Sequence, residues 1–251
     1  MLAKYRWFVA FCSCLLLGAP PLVAQDKKLP EAKQILARHV KAIGGQAKID
    51  AIQTQEIKAK MTLLGMGVGG NLRVLYSSDG KFKQTMEIEG VGTESAGFDG
   101  TIIWKNSQIT GPKLVDGVEA ELLKLRAVPV PIALYEKFFE TIECSGVEEF
   151  DGVDCYVIKS TKANLKPIFD YFEISTGLHR GTKETSPTNQ GGSEVTKTYI
   201  DYRDAGGIES PYTRAMKMGP RTIELKISEV LNNAQINPKE FDVPAEVKAL
   251  Y

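Results

Sequence analysis

From about residue 56 onward, apolar and polar side chains alternate with a period of two through long stretches of the chain. Ile57, Ala59, Met61 and Leu63 alternate with Glu56, Lys58, Lys60 and Thr62; Phe82, Met86 and Ile88 alternate with Lys83, Thr85 and Glu87. Near the end, Ile223, Leu225 and Ile227 alternate with Glu224, Lys226 and Ser228. Such alternation marks antiparallel strands with one buried and one wet face. Turn signals at Asp79-Gly80, Asp99-Gly100, Asp151-Gly152, Thr176-Gly177 and Gly206-Gly207 separate the runs, and together they predict a meander of about eleven strands.

Helical periodicity occurs in only a few places. Ala32, Ile35, Leu36, Val40 and Ile43 form one stripe behind Pro30 and ahead of Gly44-Gly45, which predicts an amphipathic helix with a proline start and a glycine stop. A shorter helical piece is expected around residues 47–52. Two more helices, over 118–126 and 131–140, interrupt the meander, with Val128-Pro129-Val130-Pro131 as the kink between them. Their apolar faces need cover, and the inner face of a bent sheet supplies it. The expected fold class is therefore α+β, a strongly bent antiparallel sheet with helices on its concave face.

Gly65-Met66-Gly67-Val68-Gly69-Gly70 satisfies G-x-G-x-x-G and has Glu87 and Glu89 where a ribose-binding carboxylate would sit. A dinucleotide fingerprint, however, needs a helix N-terminus after the glycines to receive the pyrophosphate. Here Asn71 to Ser78 reads as another strand and Asp79-Gly80 turns the chain again. The glycines predict a hairpin loop.

The N-terminus carries different information. Lys4 and Arg6 precede an uncharged stretch from Trp7 to Gly18, followed by Pro20-Pro21 and Ala24-Gln25-Asp26, the pattern of a secretory signal with cleavage expected after Ala24. An uncleaved anchor is the alternative. Cleavage leaves about 227 residues, residues 25–251, enough for one large domain or two small ones. Lys plus Arg equals Asp plus Glu at 31 each, so no electrostatic footprint favours nucleic acid or an anionic membrane.

Processing reduces four cysteines to Cys144 and Cys155. An Asp151-Gly152 hairpin puts Glu148 opposite Cys155 and leaves Cys144 about 13 Å along the strand at ~3.4 Å per residue. That disfavours a disulfide unless a bulge or longer loop intervenes.

Catalytic chemistry finds little to attach to. His39 and His179 belong to no metal-ligand spacing and read as structural or solvated. Thr93-Glu94-Ser95-Ala96-Gly97 has Thr where the hydrolase elbow needs Gly, so Ser95 reads as a loop or strand residue. Glu148-Glu149 and Asp151 with Asp154 cluster at a hairpin tip, where charge is ordinarily solvated. No cofactor and no metal are expected.

The order of these segments is familiar. A helix ending in Gly44-Gly45 comes first, then Phe98-Asp99-Gly100-Thr101-Ile102-Ile103-Trp104, Thr110-Gly111-Pro112 and Gly152-Val153-Asp154-Cys155-Tyr156-Val157-Ile158. Tyr171-Phe172-Glu173-Ile174-Ser175-Thr176-Gly177-Leu178 follows, and then Asp201-Tyr202-Arg203 through Pro211-Tyr212. From about Glu31 to Pro244 the chain resembles the LolA-like outer-membrane lipoprotein-sorting superfamily. The resemblance implies a single domain, an unclosed half barrel with helices across its mouth and an apolar cavity beneath them. It also implies a periplasmic carrier, acyl chains or lipoproteins as ligands, and a membrane-bound donor or acceptor as partner.

A site of this kind needs concave apolar surface rather than a reactive group. Strand alternation and helix faces nominate Met61, Leu63, Leu72, Val74, Phe82, Met86, Ile88, Trp104, Phe138 and Phe172 as its lining. Unbranched Met61, Met66 and Met86 suit a pliable surface. The chain is longer than the shortest carriers, with an extra polar loop from Glu184 to Gly192. A non-catalytic carrier, expected as a monomer, is the first reading. A sensor or protein-interaction module on the same fold is the second, and a hydrolase the third.

Overall fold

The computed structural model describes residues 28–186 and 192–251. The signal segment and its cleavage after Ala24 lie outside the described residues, as does Pro187–Gly191 within the polar loop. Thirteen strands form one antiparallel sheet: β1 Thr54–Leu63, β2 Val68–Ser77, β3 Phe82–Ile88, β4 Gly92–Phe98, β5 Ile103–Ser107, β6 Gly111–Leu114, β7 Thr141–Phe150, β8 Val153–Thr161, β9 Ile168–Glu173, β10 His179–Ser186, β11 Ser193–Asp204, β12 Glu209–Met218 and β13 Arg221–Asn232. Their spatial order is β6-β5-β4-β3-β2-β1-β13-β12-β11-β10-β9-β8-β7. Two meanders are thus joined through the β1–β13 pair, and β6 and β7 remain as free edges. The sheet is an unclosed half barrel.

The count exceeds eleven because some strands carry little apolar signal. Four-residue β6 begins at Gly111-Pro112, and β4 reads Gly-Thr-Glu-Ser-Ala-Gly-Phe. The polar stretch expected to be loop from Glu184 begins as strand, since Glu184, Thr185 and Ser186 pair with Val195, Glu194 and Ser193. The nucleotide-like glycines form the β1–β2 hairpin, with Gly65 and Gly67 at positive φ in the turn and Leu63 opposite Val68. Asp151 and Gly152 both take positive φ and place Glu148 opposite Cys155, as a two-residue hairpin turn requires. A bulge then sets Cys144 opposite Ile158, and both cysteines are free.

Five α-helices are described: α1 Ala32–Ala42, α2 Gln46–Asp50, α3 Gly117–Arg126, α4 Tyr135–Phe138 and α5 Ala245–Lys248. The segment expected as one helix over 131–140 is a 3-10 turn, Pro131–Leu134, followed by α4. Helix α1 starts in a capping box between Glu31 and Gln34 and buries Ala32, Ile35, Leu36 and His39, with Ile43 just beyond. His39, 4% exposed, lies within this buried face. Gly44 ends the helix against the β11–β12 turn, where a Cβ would lie 2.4 Å from the Gly207 carbonyl oxygen. The glycine is therefore a close-approach residue as well as a stop.

Helix α3 lies inside the curve. Leu122 and Leu125 pack with α1 residues and with Ile158, Ile168 and Phe172 of β8 and β9. Leu123 packs against Ile57, Leu72, Val74 and Phe82 of β1 to β3, and Ala120 against Ile103 of β5. One helix thus bridges both halves of the sheet. The opposite face of β5 is covered by the C-terminal segment, where Trp104 packs with Val243 and Val247.

Candidate functional site: the interior of the half barrel

Between the two open ends of the sheet, beside α3, lies a cleft of about 700 Å³, within the size range of small-molecule sites. Ile103, Val115, Val118, Ala120 and Leu165 supply apolar wall; Asp116, Glu121, Lys124 and Lys162 supply charge. A second, separate cavity of about 160 Å³ lies beside Leu125, Val128, Leu134 and Phe138. Ion pairs fasten the helix on both sides of the cleft. Glu119 meets Lys105 of β5 and, at 3.0 Å, Lys113 of β6, while Glu121 meets Lys162 of the β8–β9 loop at 2.8 Å. Burial works to raise the Glu119 carboxyl, but hydrogen bonds from the two lysines outweigh it and hold the group below its ordinary value. The Lys162 bond does the same for Glu121.

Deeper in, the concave face has two chemically different halves. One row of register partners runs Ile88, Gly70, Met61, Leu225, Arg214, Tyr199. A neighbouring row runs Leu63, Ile223, Met216, Lys197, Thr182, Asp170, Ile158. In these two rows the side chains from β3 to β13 are apolar, and those from β12 to β9 are polar or charged except Met216. Alternation places these residues on the same side as Ile57, Ala59 and Leu72, which α3 covers.

Most of the polar half is paired around two carboxylates. Glu184, 7% exposed, bridges Arg126 at the end of α3 and Lys197 of β11, the latter at 2.8 Å. Burial would raise the Glu184 carboxyl, but the two cations pull it below its ordinary value. Lys197 is pushed down by burial and by the Arg126 charge, with Glu184 opposing. Asp170, fully buried, receives the Thr182 hydroxyl at 2.8 Å and lies 3.0 Å from His179 Nε2. His179 stacks on Phe172, and His39 meets both rings edge-on. Burial, then the charge of His179, depress the His39 imidazole to about 3 against a hydrogen bond with the Gly177 carbonyl at 3.1 Å. Burial likewise raises Tyr199 to about 12.

Thr182, His179 and Asp170 contain the residue types of a nucleophile, a base and an orienting acid. Such a relay uses both ring nitrogens, one toward each partner. Here Thr182 Oγ1, at 3.3 Å, and Asp170 Oδ1 both meet Nε2 of His179, and Thr182 bonds the same carboxylate oxygen. The three groups form a closed knot rather than a relay. Among the described residues, no group of three or more His, Cys, Asp or Glu side chains could hold a metal ion.

The nominated lining residues fall into three places. Met61, Leu72, Val74 and Phe82 are buried, and Leu63, Met86 and Ile88 half-buried, on the concave face of the first half. Phe172 and Phe138 belong to the second half: Phe172 lies under α1, and Phe138 is at the smaller cavity with Lys162 Nζ 4.0 Å from its ring centroid. Trp104 stands apart. Its neighbour Ile103 takes the inward position, so the indole packs on the outer face beneath α5. The charged residues of β9 to β12 have no counterpart among the residues that alternation nominates. Strand β11 reads Thr196-Lys197-Thr198-Tyr199, polar on both faces, so its pattern carries no sign of which side is enclosed.

The architecture can be compared with solved structures on these terms. A LolA superfamily protein from Nitrosomonas europaea superposes with a TM-score of 0.58 at 13% identity, over 86% of this chain and 99% of that one. The chain has the LolA fold. A DUF1329 family protein from Desulfovibrio piger gives a TM-score of 0.58 at 12% identity, covering 86% of this chain and 98% of its own. A domain described as an outer membrane lipoprotein-sorting protein, from Vibrio parahaemolyticus, gives 0.58 at 13% identity, with 84% and 97% covered. No protein-family model matches the sequence, and no curated protein matches it. Within the LolA fold, then, the interior side chains of this chain have to be read on their own chemistry.

Proposed function

We propose that this protein is an exported, non-catalytic carrier that holds lipid or lipoprotein acyl chains inside the half barrel. The observation that carries the reading is the concave apolar face, where half-buried Leu63, Met86 and Ile88 extend the core toward solvent; the cleft of about 700 Å³ beside α3 is lined by other residues, Ile103, Val118 and Leu165 among them. Removing apolar surface from water at roughly 25 cal/mol per Å² gives such a site affinity without a reactive group. Likeness of fold to a lipoprotein-sorting domain supports the same class of ligand. The functional chain is the single domain over residues 25–251, working as a monomer in the periplasm after cleavage behind Ala24. Acyl chains lie against Met61, Leu63, Leu72, Val74, Phe82, Met86 and Ile88, and a membrane-bound donor or acceptor protein exchanges them.

Native mass spectrometry of the protein isolated from the periplasm, followed by lipid extraction, tests the reading. A stoichiometric acylated ligand, lost on Met86→Asp, is the expected result. A fully folded protein that is empty and also ignores added lipid would overturn it.

A further inference from the structure

Arg214 is the one cation of the inner face of β9–β13 that has no carboxylate. Its register partners are Tyr199 on one side and Leu225 on the other, so it stands where the apolar half of the interior meets the polar half. Among the described residues no carboxylate lies within ion-pair distance of it, and its only side-chain hydrogen bond is from Nε to the Pro211 carbonyl at 3.4 Å. Its half-buried position makes that isolation costly, because a charge drawn out of water needs a partner.

The neighbours do not compensate it. Arg126 and Lys197 share Glu184, and Asp170 is engaged by Thr182 and His179. Both Arg214 and Arg126 lie near enough to the buried Tyr76 phenol to oppose the rise that burial gives it, and Arg214 acts likewise on Tyr199 and Tyr202. The interior therefore holds an excess of positive charge ringed by tyrosines at the end of an apolar row. Leu225, Met61 and Ile88 continue that row away from the guanidinium, at about 4.8 Å per strand.

We infer that Arg214 is the headgroup site of the carrier and that the ligand is an anionic amphiphile. Its carboxylate or phosphate pairs with the guanidinium while its chain runs along Leu225 and Met61 toward Met86 and Ile88. A planar guanidinium suits bidentate pairing with either anion. The inference rests on the acyl-carrier reading and adds the charge of the ligand to it.

Competition of palmitate, methyl palmitate and inorganic phosphate for a bound fluorescent fatty acid tests it on the delipidated mature protein. The acid and its ester share a chain and differ in charge, so the comparison needs no variant. Palmitate binding at least about tenfold tighter than its ester is expected, with Arg214→Gln removing the difference between the two. Equal binding of acid and ester would overturn the headgroup site and leave the carrier standing. Failure of both to bind would overturn both. Phosphate competing as well as palmitate, and losing that ability in Arg214→Gln, would mean a small-anion site and overturn the amphiphile.

Discussion

Acid should weaken this fold through one histidine on its first helix. His39 is 4% exposed, and its imidazole falls from 6.5 to about 3, chiefly through burial and secondly through the charge of His179. The folded-state value lies below the unfolded one, so below pH 6.5 the unfolded chain binds a proton that the native state refuses. Stability from this group is complete above that pH and is lost as pH falls toward 3. At 1.36 kcal/mol per pKa unit, the loss is about 1.4 kcal/mol at about pH 5.5 and about 3 kcal/mol at about pH 4. His39→Gln keeps a side-chain N–H for the Gly177 carbonyl and removes the titration. Urea unfolding of both proteins at about pH 7.5, 5.5 and 4 isolates the effect, since the carboxylates common to both cancel in the difference. The variant should lose about 3 kcal/mol less across that range. Equal losses in the two proteins would refute the claim that burial keeps His39 neutral.

Two further perturbations probe the sheet and its bridge. Gly70→Ala places a Cβ 2.3 Å from the Glu87 carbonyl oxygen and 3.0 Å from Met61 Cε, so β2 and β3 must part locally; chemical denaturation should show a loss of about 1–3 kcal/mol, and no change would mean that the pair is not closely packed there. Glu184→Gln leaves Arg126 and Lys197 without their shared carboxylate, and because Arg126 is partly exposed the expected loss is about 2–4 kcal/mol. Hydrogen exchange should then show faster opening of α3; unaltered protection would separate the ion pairs from the seating of that helix.

Much of the architecture is local in origin and was legible in the sequence. Alternation over Ile57 to Leu63 and turn chemistry at Asp151-Gly152 depend on neighbouring residues alone, because a strand's faces follow from its period and a hairpin's register from its turn. The helix ended by Gly44-Gly45 is of the same kind. Weak apolar pattern hides the short strands, and Glu184 reads as loop because a buried carboxylate looks like a solvated one until its cations are in place.

The sequence by itself determined a bent antiparallel sheet with inserted helices, and the split of its regularly alternating strands into an apolar and a polar face. Only the tertiary structure decided what the interior contains. Trp104 and Ile103 are equally apolar neighbours that the pleat sends to opposite faces, and only the packing of α3 on one side and α5 on the other decides that Ile103 is inward and Trp104 outward. Lys197 and Tyr199 sit in a strand that is polar on both faces around them, and their enclosure depends on partners far away in the chain: Asp170 and Glu184 across the sheet and Arg126 on the bridging helix. Periodicity reports the side of a strand that avoids water, but a charged interior is stabilised by pairing, and pairing between distant residues leaves no period behind.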